Sequence, residues 1–165
     1  MRPIQILLSI PVLSVLLFTG CTTVKEHSSP VELRPASTTA FQDWQRTDFH
    51  VGGMDTWVAP GATLTRDEIL FASQATNPEG DHTVTLEFTD QGANAMNELS
   101  NDRMSRPVAV LLDGRIIAAP VLMKPVRDTL TINFGSTKTA AKEAEALEQA
   151  VNDPQSADST GSDPS

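Results

Sequence analysis

The sequence predicts an α+β fold: a mainly antiparallel sheet with two helices packed on one face, in a single small domain. Three observations predict it. Residues 83–88 alternate apolar and polar side chains, as a half-buried strand does. Asp113 and Gly114 separate two apolar runs, which is typical of a β-hairpin because both turn positions need positive φ. Residues 91–103 and 138–151 place apolar side chains at helical spacing.

The remaining strands are predicted by the same patterns. Residues 129–134 repeat the alternation, and residues 107–112 form a continuous apolar run, which favours a central strand. A strand at 69–75 ends in a turn-forming cluster, and Trp57 begins a short strand near the start of the domain. Pro120 limits the strand after the hairpin, since proline donates no hydrogen bond to a ladder.

Each predicted helix has a capping residue. Thr89 or Asp90 is suited to cap residues 91–103, and Ser136 or Thr137 to cap residues 138–151. The second helix carries one apolar stripe, which we expect to face the core. The stripe consists of Ala140, Ala144, Leu147 and Val151.

Composition excludes some functions. The chain has 165 residues and a net charge of −9, which argues against nucleic-acid binding because neutralising phosphates requires cations. One cysteine excludes an intramolecular disulfide. Only 39% of residues are apolar, which predicts that part of the chain is not folded.

The first twenty residues predict a lipoprotein signal peptide. Arg2 precedes an uncharged apolar run, and the run ends in small residues directly before Cys21. The pattern resembles a bacterial lipobox, so Cys21 is the expected lipid-attachment residue and the membrane the expected partner of its acyl chains. A retained membrane helix is the alternative; its 18 residues are near the lower limit for a span, and Pro11 lies in its middle.

The rest of the chain divides into three predicted regions. Residues 21–52 form an acylated cysteine and a flexible tether, because Ser, Thr and Pro dominate the stretch after the cysteine. Residues 53–151 form the α+β domain, and residues 152–165 a disordered acidic tail. The aromatic residues before the domain pack onto it or bind a partner, and packing is favoured. They are Phe41, Trp44 and Phe49.

Several phrases in the domain resemble one known module. They are LEFTDQGA at 86–93, RPVAVLLDG at 106–114 and IAAPV at 117–121, followed by Phe134 and an Ala-Lys-Glu-rich helix start at 140–144. In this order they resemble the head subdomain of the first periplasmic domain of SecD and SecDF protein-export proteins. The resemblance implies a partner-facing domain at the bacterial cell envelope. It implies no transport activity, because the charged membrane helices of that family have no counterpart among the recognised phrases.

The sequence offers no pattern for catalysis. His27, His50 and His82 lack metal-ligand spacing, and no Gly-x-Ser-x-Gly motif occurs. Asp113 and Gly114 have a structural role in the turn. We therefore expect no enzyme activity, no metal and no cofactor.

The expected function is binding by a lipid-anchored envelope protein. The predicted partners are unfolded or exported polypeptide, or translocon components, bound along the strand edge after the hairpin. A structural envelope lipoprotein with no export role is the alternative. Thr22 after the cysteine favours the outer membrane over the inner. The candidate partner-binding residues are Ala119, Pro120, Val121, Leu122 and Met123.

Overall fold

Nine strands and two helices lie along residues 29–153, the part of the chain that the computed structural model describes. The strands pair antiparallel, so the predicted α+β fold is confirmed. The elements are β1 (Val31–Ser37), β2 (Gln45–Val51), β3 (Met54–Val58), β4 (Leu64–Thr65), β5 (Ile69–Thr76), β6 (His82–Phe88), α1 (Asp90–Asp102), β7 (Val108–Leu112), β8 (Arg115–Ala118), β9 (Thr129–Gly135) and α2 (Lys138–Asn152).

The larger sheet has the strand order β2-β3-β1-β7-β8, with β4 also pairing to β1. Strand β1 lies in its middle: Val31 opposes Leu112 of β7, and Ala36 opposes Val58 of β3. The predicted hairpin joins β7 to β8, with φ of 50° at Asp113 and 76° at Gly114. Strands β2 and β8 are therefore the two edges of this sheet.

The smaller sheet has the order β5-β6-β9, and both helices pack on its buried face. Alternate residues of its strands join residues of α1 and α2 in one core. The inner face of the larger sheet closes the same core, so the domain has one main hydrophobic centre. Its fully buried large side chains are Val31, Leu33, Leu64, Ile69, Val84, Leu86, Met96, Val108, Val110, Ile132, Leu147 and Val151.

The opposite face of the larger sheet holds a second, smaller cluster. Ala36, Val58, Ala109 and Leu111 are buried there, with Ile116 packed against them. The charged residues of β1 lie on this face, because they alternate with the core residues Val31 and Leu33. We call this side of the sheet the concave face.

A buried ion pair occupies the concave face beside that cluster. The Glu32 side chain is 6% exposed, and its carboxylate accepts from Arg34 Nε at 2.7 Å. Arg34 also donates to the Pro60 carbonyl at 3.0 Å. These contacts satisfy a charge that burial would otherwise make costly.

Both helices begin at the predicted threonines. Thr89 Oγ1 accepts from Gly92 N at 3.1 Å, and Thr137 Oγ1 accepts from Ala140 N at 3.0 Å. Gly92 also sits against the 3₁₀ turn that precedes β5: a Cβ at this position would lie 2.2 Å from the carbonyl oxygen of Glu68. The close packing of α1 on that turn therefore requires glycine at 92.

The structure corrects the predicted boundaries of the domain. The predicted tether over 21–52 contains β1 and β2, and β1 contributes fully buried residues to the main core, so the domain begins before residue 53. Helix α2 extends to Asn152, one residue into the predicted tail. The predicted signal peptide, the lipid-attachment residue Cys21 and most of the tail lie outside the described residues.

Candidate interaction surface

The predicted partner-binding segment continues the β7–β8 hairpin beyond β8. Val108 N donates to the Pro120 carbonyl at 3.0 Å, and Leu122 N donates to the Arg106 carbonyl at 3.2 Å. Val121 lies between these two bonds, opposite Pro107. In an antiparallel ladder, a residue so placed directs its own N–H and C=O away from the paired strand. Val121 therefore presents these groups at the open edge of the sheet.

The five predicted residues divide between the surface and the core. Val121 is 42% and Met123 74% exposed, whereas Leu122 is 3% exposed and belongs to the main core. Ala119 and Pro120 are half-buried. Met104, 46% exposed, precedes Ser105, whose N–H donates to the Leu122 carbonyl at 2.7 Å. We call the exposed residues Met104, Val121 and Met123 the apolar patch.

An aromatic group packs against Arg103, the residue directly before Met104 of this patch. The Arg103 guanidinium lies 4.8 Å from the ring centroid of Trp44, and the Trp44 and Phe41 rings are 4.9 Å apart. Burial and the neighbouring Arg106 lower the pKa of Arg103, while Asp102 opposes the shift. Trp44 is half-buried and Phe41 is 42% exposed. Trp44 thus packs between Arg103 and Phe41, while Phe41 stays accessible, and none of the three aromatic residues, Phe49 included, joins a core cluster of the described residues.

Helix α1 fixes the segment that follows the patch. Ser100, fully buried, accepts from Val126 N at 2.8 Å, and its single hydroxyl proton faces two carbonyls, that of Asn97 at 3.0 Å and that of Val126 at 3.2 Å. The Val126 N–H is therefore bound by this hydroxyl, and the Val126 carbonyl lies within its hydrogen-bond distance. The exposed Met123 lies between Val126, which is bonded to Ser100, and Leu122, whose backbone is bonded to Ser105 and Arg106. The backbone that carries this part of the apolar patch is therefore fixed on both sides.

A cleft that the sequence did not predict separates the two edges of the larger sheet. Its volume is about 390 Å³. Residues from β2 form one wall and residues from the start of β8 form the other, so the sheet curls until its edges face one another. The lining residues are Thr47, Asp48, Phe49, Gly114, Arg115 and Ile116.

The remaining surface offers little for chemistry. A depression of about 510 Å³ lies at the start of α1, where Leu70 borders the carboxylates of Glu87, Asp90 and Asp128. Within residues 29–153, no three His, Cys, Asp or Glu side chains are grouped so that they could hold a metal ion. No helix in the same residues is both long and apolar enough to cross a membrane.

Comparison with known families identifies the domain type. Residues 42–150 match the family described as SecDF, P1 head subdomain. The match includes β2 to β9, α1 and all of α2 except its last two residues, and it therefore covers the hairpin, the apolar patch and the cleft. It begins within the predicted tether.

Individual relatives agree with this match. The chain is 32% identical over 84 residues to the protein translocase subunit SecD of Acidaminococcus fermentans; the aligned part is 51% of this chain and 20% of that protein. The chain thus spans about a fifth of the relative's length. A solved SecDF structure, described as a membrane component that enhances protein export, superposes with a TM-score of 0.52 at 20% identity, covering 73% of this chain and 61% of the other. A second SecDF structure, in a super-membrane-facing form, gives a TM-score of 0.52 at 18% identity, covering 73% and 18%.

Proposed function

Because this chain belongs to the SecDF P1 head subdomain family, we propose that it is a noncatalytic cell-envelope protein whose domain binds polypeptide during protein export. Membership of the family links the domain to export. The observation that carries the binding role is the apolar patch: three large apolar side chains are exposed beside the outward-facing backbone groups of Val121.

The patch has the chemistry that unfolded polypeptide requires. Methionine is unbranched and adaptable, so it packs against apolar side chains of different shapes. The backbone groups of Val121 bind any extended chain, since main-chain hydrogen bonds do not depend on sequence. A site of this kind favours many clients over one ligand. Translocon components are the second class of partner that the family relationship supports.

Attachment to the membrane is a further part of the proposal. Cys21 follows an apolar, uncharged run and is the proposed site of acylation, which would place the domain at the envelope with the outer membrane favoured. Replacement of Cys21 by serine should abolish palmitate labelling and release the protein from membranes. Continued labelling of Cys21→Ser would contradict the anchor and leave the binding role in place.

Site-specific crosslinking tests the binding role. A photoreactive residue at Val121 or Met123 should crosslink to reduced, carboxymethylated α-lactalbumin, a permanently unfolded probe. Thr131 is the matched control, because it is exposed on the outer face of the smaller sheet. Equal crosslinking at all three positions, or none at any, would contradict the proposal.

A cellular experiment separates an export role from a structural one. Deletion of the protein should slow the appearance of exported proteins in the envelope while the envelope stays intact. A defect in envelope integrity with normal export would instead favour a structural lipoprotein.

A further inference from the structure

The directions of the strands in the larger sheet leave its two edges unable to pair antiparallel with each other. Each neighbouring pair in the order β2-β3-β1-β7-β8 is antiparallel. Strands β2, β1 and β8 therefore run one way, and β3 and β7 the other. The cleft lies between β2 and β8, which run in the same direction. One more strand, running oppositely, would be antiparallel to both.

We propose that the cleft takes up one extended polypeptide segment, which pairs antiparallel with β2 and β8 and closes the curled sheet. This rests on the proposed function, that the domain binds polypeptide, and it names the geometry of binding. Each wall of the cleft contributes three consecutive residues: 47–49, which include the bulge of β2 after Thr47, and 114–116, which begin in the hairpin turn before β8.

The size of the cleft agrees with a short stretch of strand. Strands lie about 4.8 Å apart, faces pack about 10 Å apart and the rise is about 3.4 Å per residue, so a strand residue fills roughly 160 Å³. A volume of about 390 Å³ therefore holds two to three residues of extended chain.

Ile116 provides free backbone groups in the cleft. In a two-residue hairpin the flanking residues, Leu112 and Arg115, bond to each other, so the next residue directs its N–H and C=O outward. On the other side of β7, Asp113 N donates to the Pro30 carbonyl of the segment before β1. Asp113 therefore directs its backbone groups toward β1 and Leu112 directs its own toward β8, which agrees with the Leu112–Arg115 pair. On the opposite wall, the Asp48 carbonyl lies 2.9 Å from His50 Nδ1 and so already has a contact within the chain. Ile116 is therefore the better position at which to measure binding of an inserted strand.

The concave face beside the cleft contains an unsatisfied polar group. Thr56 is fully buried, and its hydroxyl has no hydrogen-bond partner among the described residues. Its cross-strand neighbour is Thr47, which lines the cleft. Paired residues point to the same face, so the Thr56 hydroxyl lies on the concave face, which closure of the sheet by an inserted strand would enclose. Phe49 and Ile116 add apolar contact on either wall.

Hydrogen exchange on the full chain, with and without reduced, carboxymethylated α-lactalbumin, tests the insertion. The Ile116 amide should exchange freely alone and slow by about tenfold or more at saturating probe. The Arg115 amide, already bonded within the hairpin, should be protected in both states. Phe49→Lys should weaken the new protection, whereas Met54→Lys, exposed at the β2–β3 turn and outside the cleft, should not.

Each other outcome overturns the inference in a distinguishable way. If the probe binds but protects only the amides of residues 119–123, the insertion into the cleft is refuted and the proposed function is kept. If the probe does not bind, both the insertion and the proposed function are refuted. Protection of Ile116 in the free full chain would show that a segment of the chain itself fills the cleft. If Phe49→Lys fails to fold, Phe49→Ser replaces it in the same comparison.

Discussion

The outer edges of β5 and β8 present the same backbone groups but differ in what covers them. Asn152, in the last turn of α2, accepts from Ala72 N at 3.0 Å and donates to the Ala72 carbonyl at 2.8 Å. Glu148 accepts from Gln74 N at 2.9 Å. Among the described residues, no side chain does this for Ile116 or Val121. The backbone groups at the outer edge of β5 are therefore bonded to side chains of α2, as a neighbouring strand would bond them, whereas those at the edge of β8 are not.

This difference shows that the open edge is not a general feature of the domain. Unpaired edges promote association, and proteins usually block them. The chain blocks β5 with two side chains of α2. On the β8 side, the same helix contributes its Glu143 side chain, which pairs with the Arg115 side chain at 2.9 Å and leaves the backbone groups of Ile116 uncovered. The edge that stays open is the one beside the apolar patch and the cleft.

The largest expected effect concerns the strand on which the open side depends. Leu33→Ala in β1 should lower the free energy of unfolding by about 2–5 kcal/mol, because Leu33 is fully buried between the two sheets. Urea denaturation measures it. Met54→Ala, at an exposed turn, is the control and should change stability by less than about 0.5 kcal/mol. A small effect of Leu33→Ala would mean that β1 is a tether after all.

Removing the Asn152 side chain should leave the outer edge of β5 with unbonded backbone groups, as at the edge of β8. Asn152→Ala leaves both backbone groups of Ala72 without partners and should cost about 1–3 kcal/mol. It should also raise self-association, measured by sedimentation velocity, because a second edge is now open. Asn101→Ala, which removes only hydrogen bonds within α1, is the control. Unchanged association would indicate that the cover has no protective role.

Removing the Ser100 hydroxyl should increase the mobility of the segment after the apolar patch more than that of the rest of the domain. Ser100→Ala removes the hydroxyl that accepts from Val126 N and should cost about 1–2 kcal/mol. Amide exchange should increase at 123–127 while β5 and β6 stay protected. Ser73→Ala, exposed on the smaller sheet, is the matched control. Equal exchange in both variants would show that α1 does not position the patch.

The smallest effect is expected at the aromatic group. Arg103→Gln removes the cation over Trp44 and should cost about 0.5–1 kcal/mol. Fluorescence measured in a Trp57→Phe background, where Trp44 is the one remaining tryptophan, reports whether the ring becomes more exposed. Arg127→Gln, at an exposed cation remote in sequence from the group, controls for lost charge. Identical spectra in both variants would argue against the stacking.

Local signals predicted the second half of the domain well. The turn at Asp113 and Gly114 has the positive φ values that the residue pair indicates, and the alternating strands and threonine caps formed as expected. These features depend on neighbours in sequence. Of the candidate site, Val121 and Met123 lie at the surface as binding residues must, whereas Leu122 is buried.

The first half was not predicted, because its signals depend on distant partners. Glu32 and Arg34 resemble linker residues in the sequence, yet they neutralise each other on the concave face of β1. The partner of β1 is β7, more than seventy residues later. One local signal was available: Gly52 and Gly53, both at positive φ, form a two-residue turn between β2 and β3. The cleft joins residues 47–49 to 114–116, and no local pattern indicates such a contact.

The position of Asn152 has a consequence for how the chain folds during synthesis. Strand β5 is made early, but the residue that covers its edge is the last of α2. Strand β1 pairs early with β3 and β4, but its other edge waits for β7. A chain that emerges from its N-terminus therefore exposes open strand edges until nearly all of residues 29–153 are available. Contacts so distant in sequence slow folding and lengthen that exposure, so the domain itself is expected to need protection by a chaperone before it is complete.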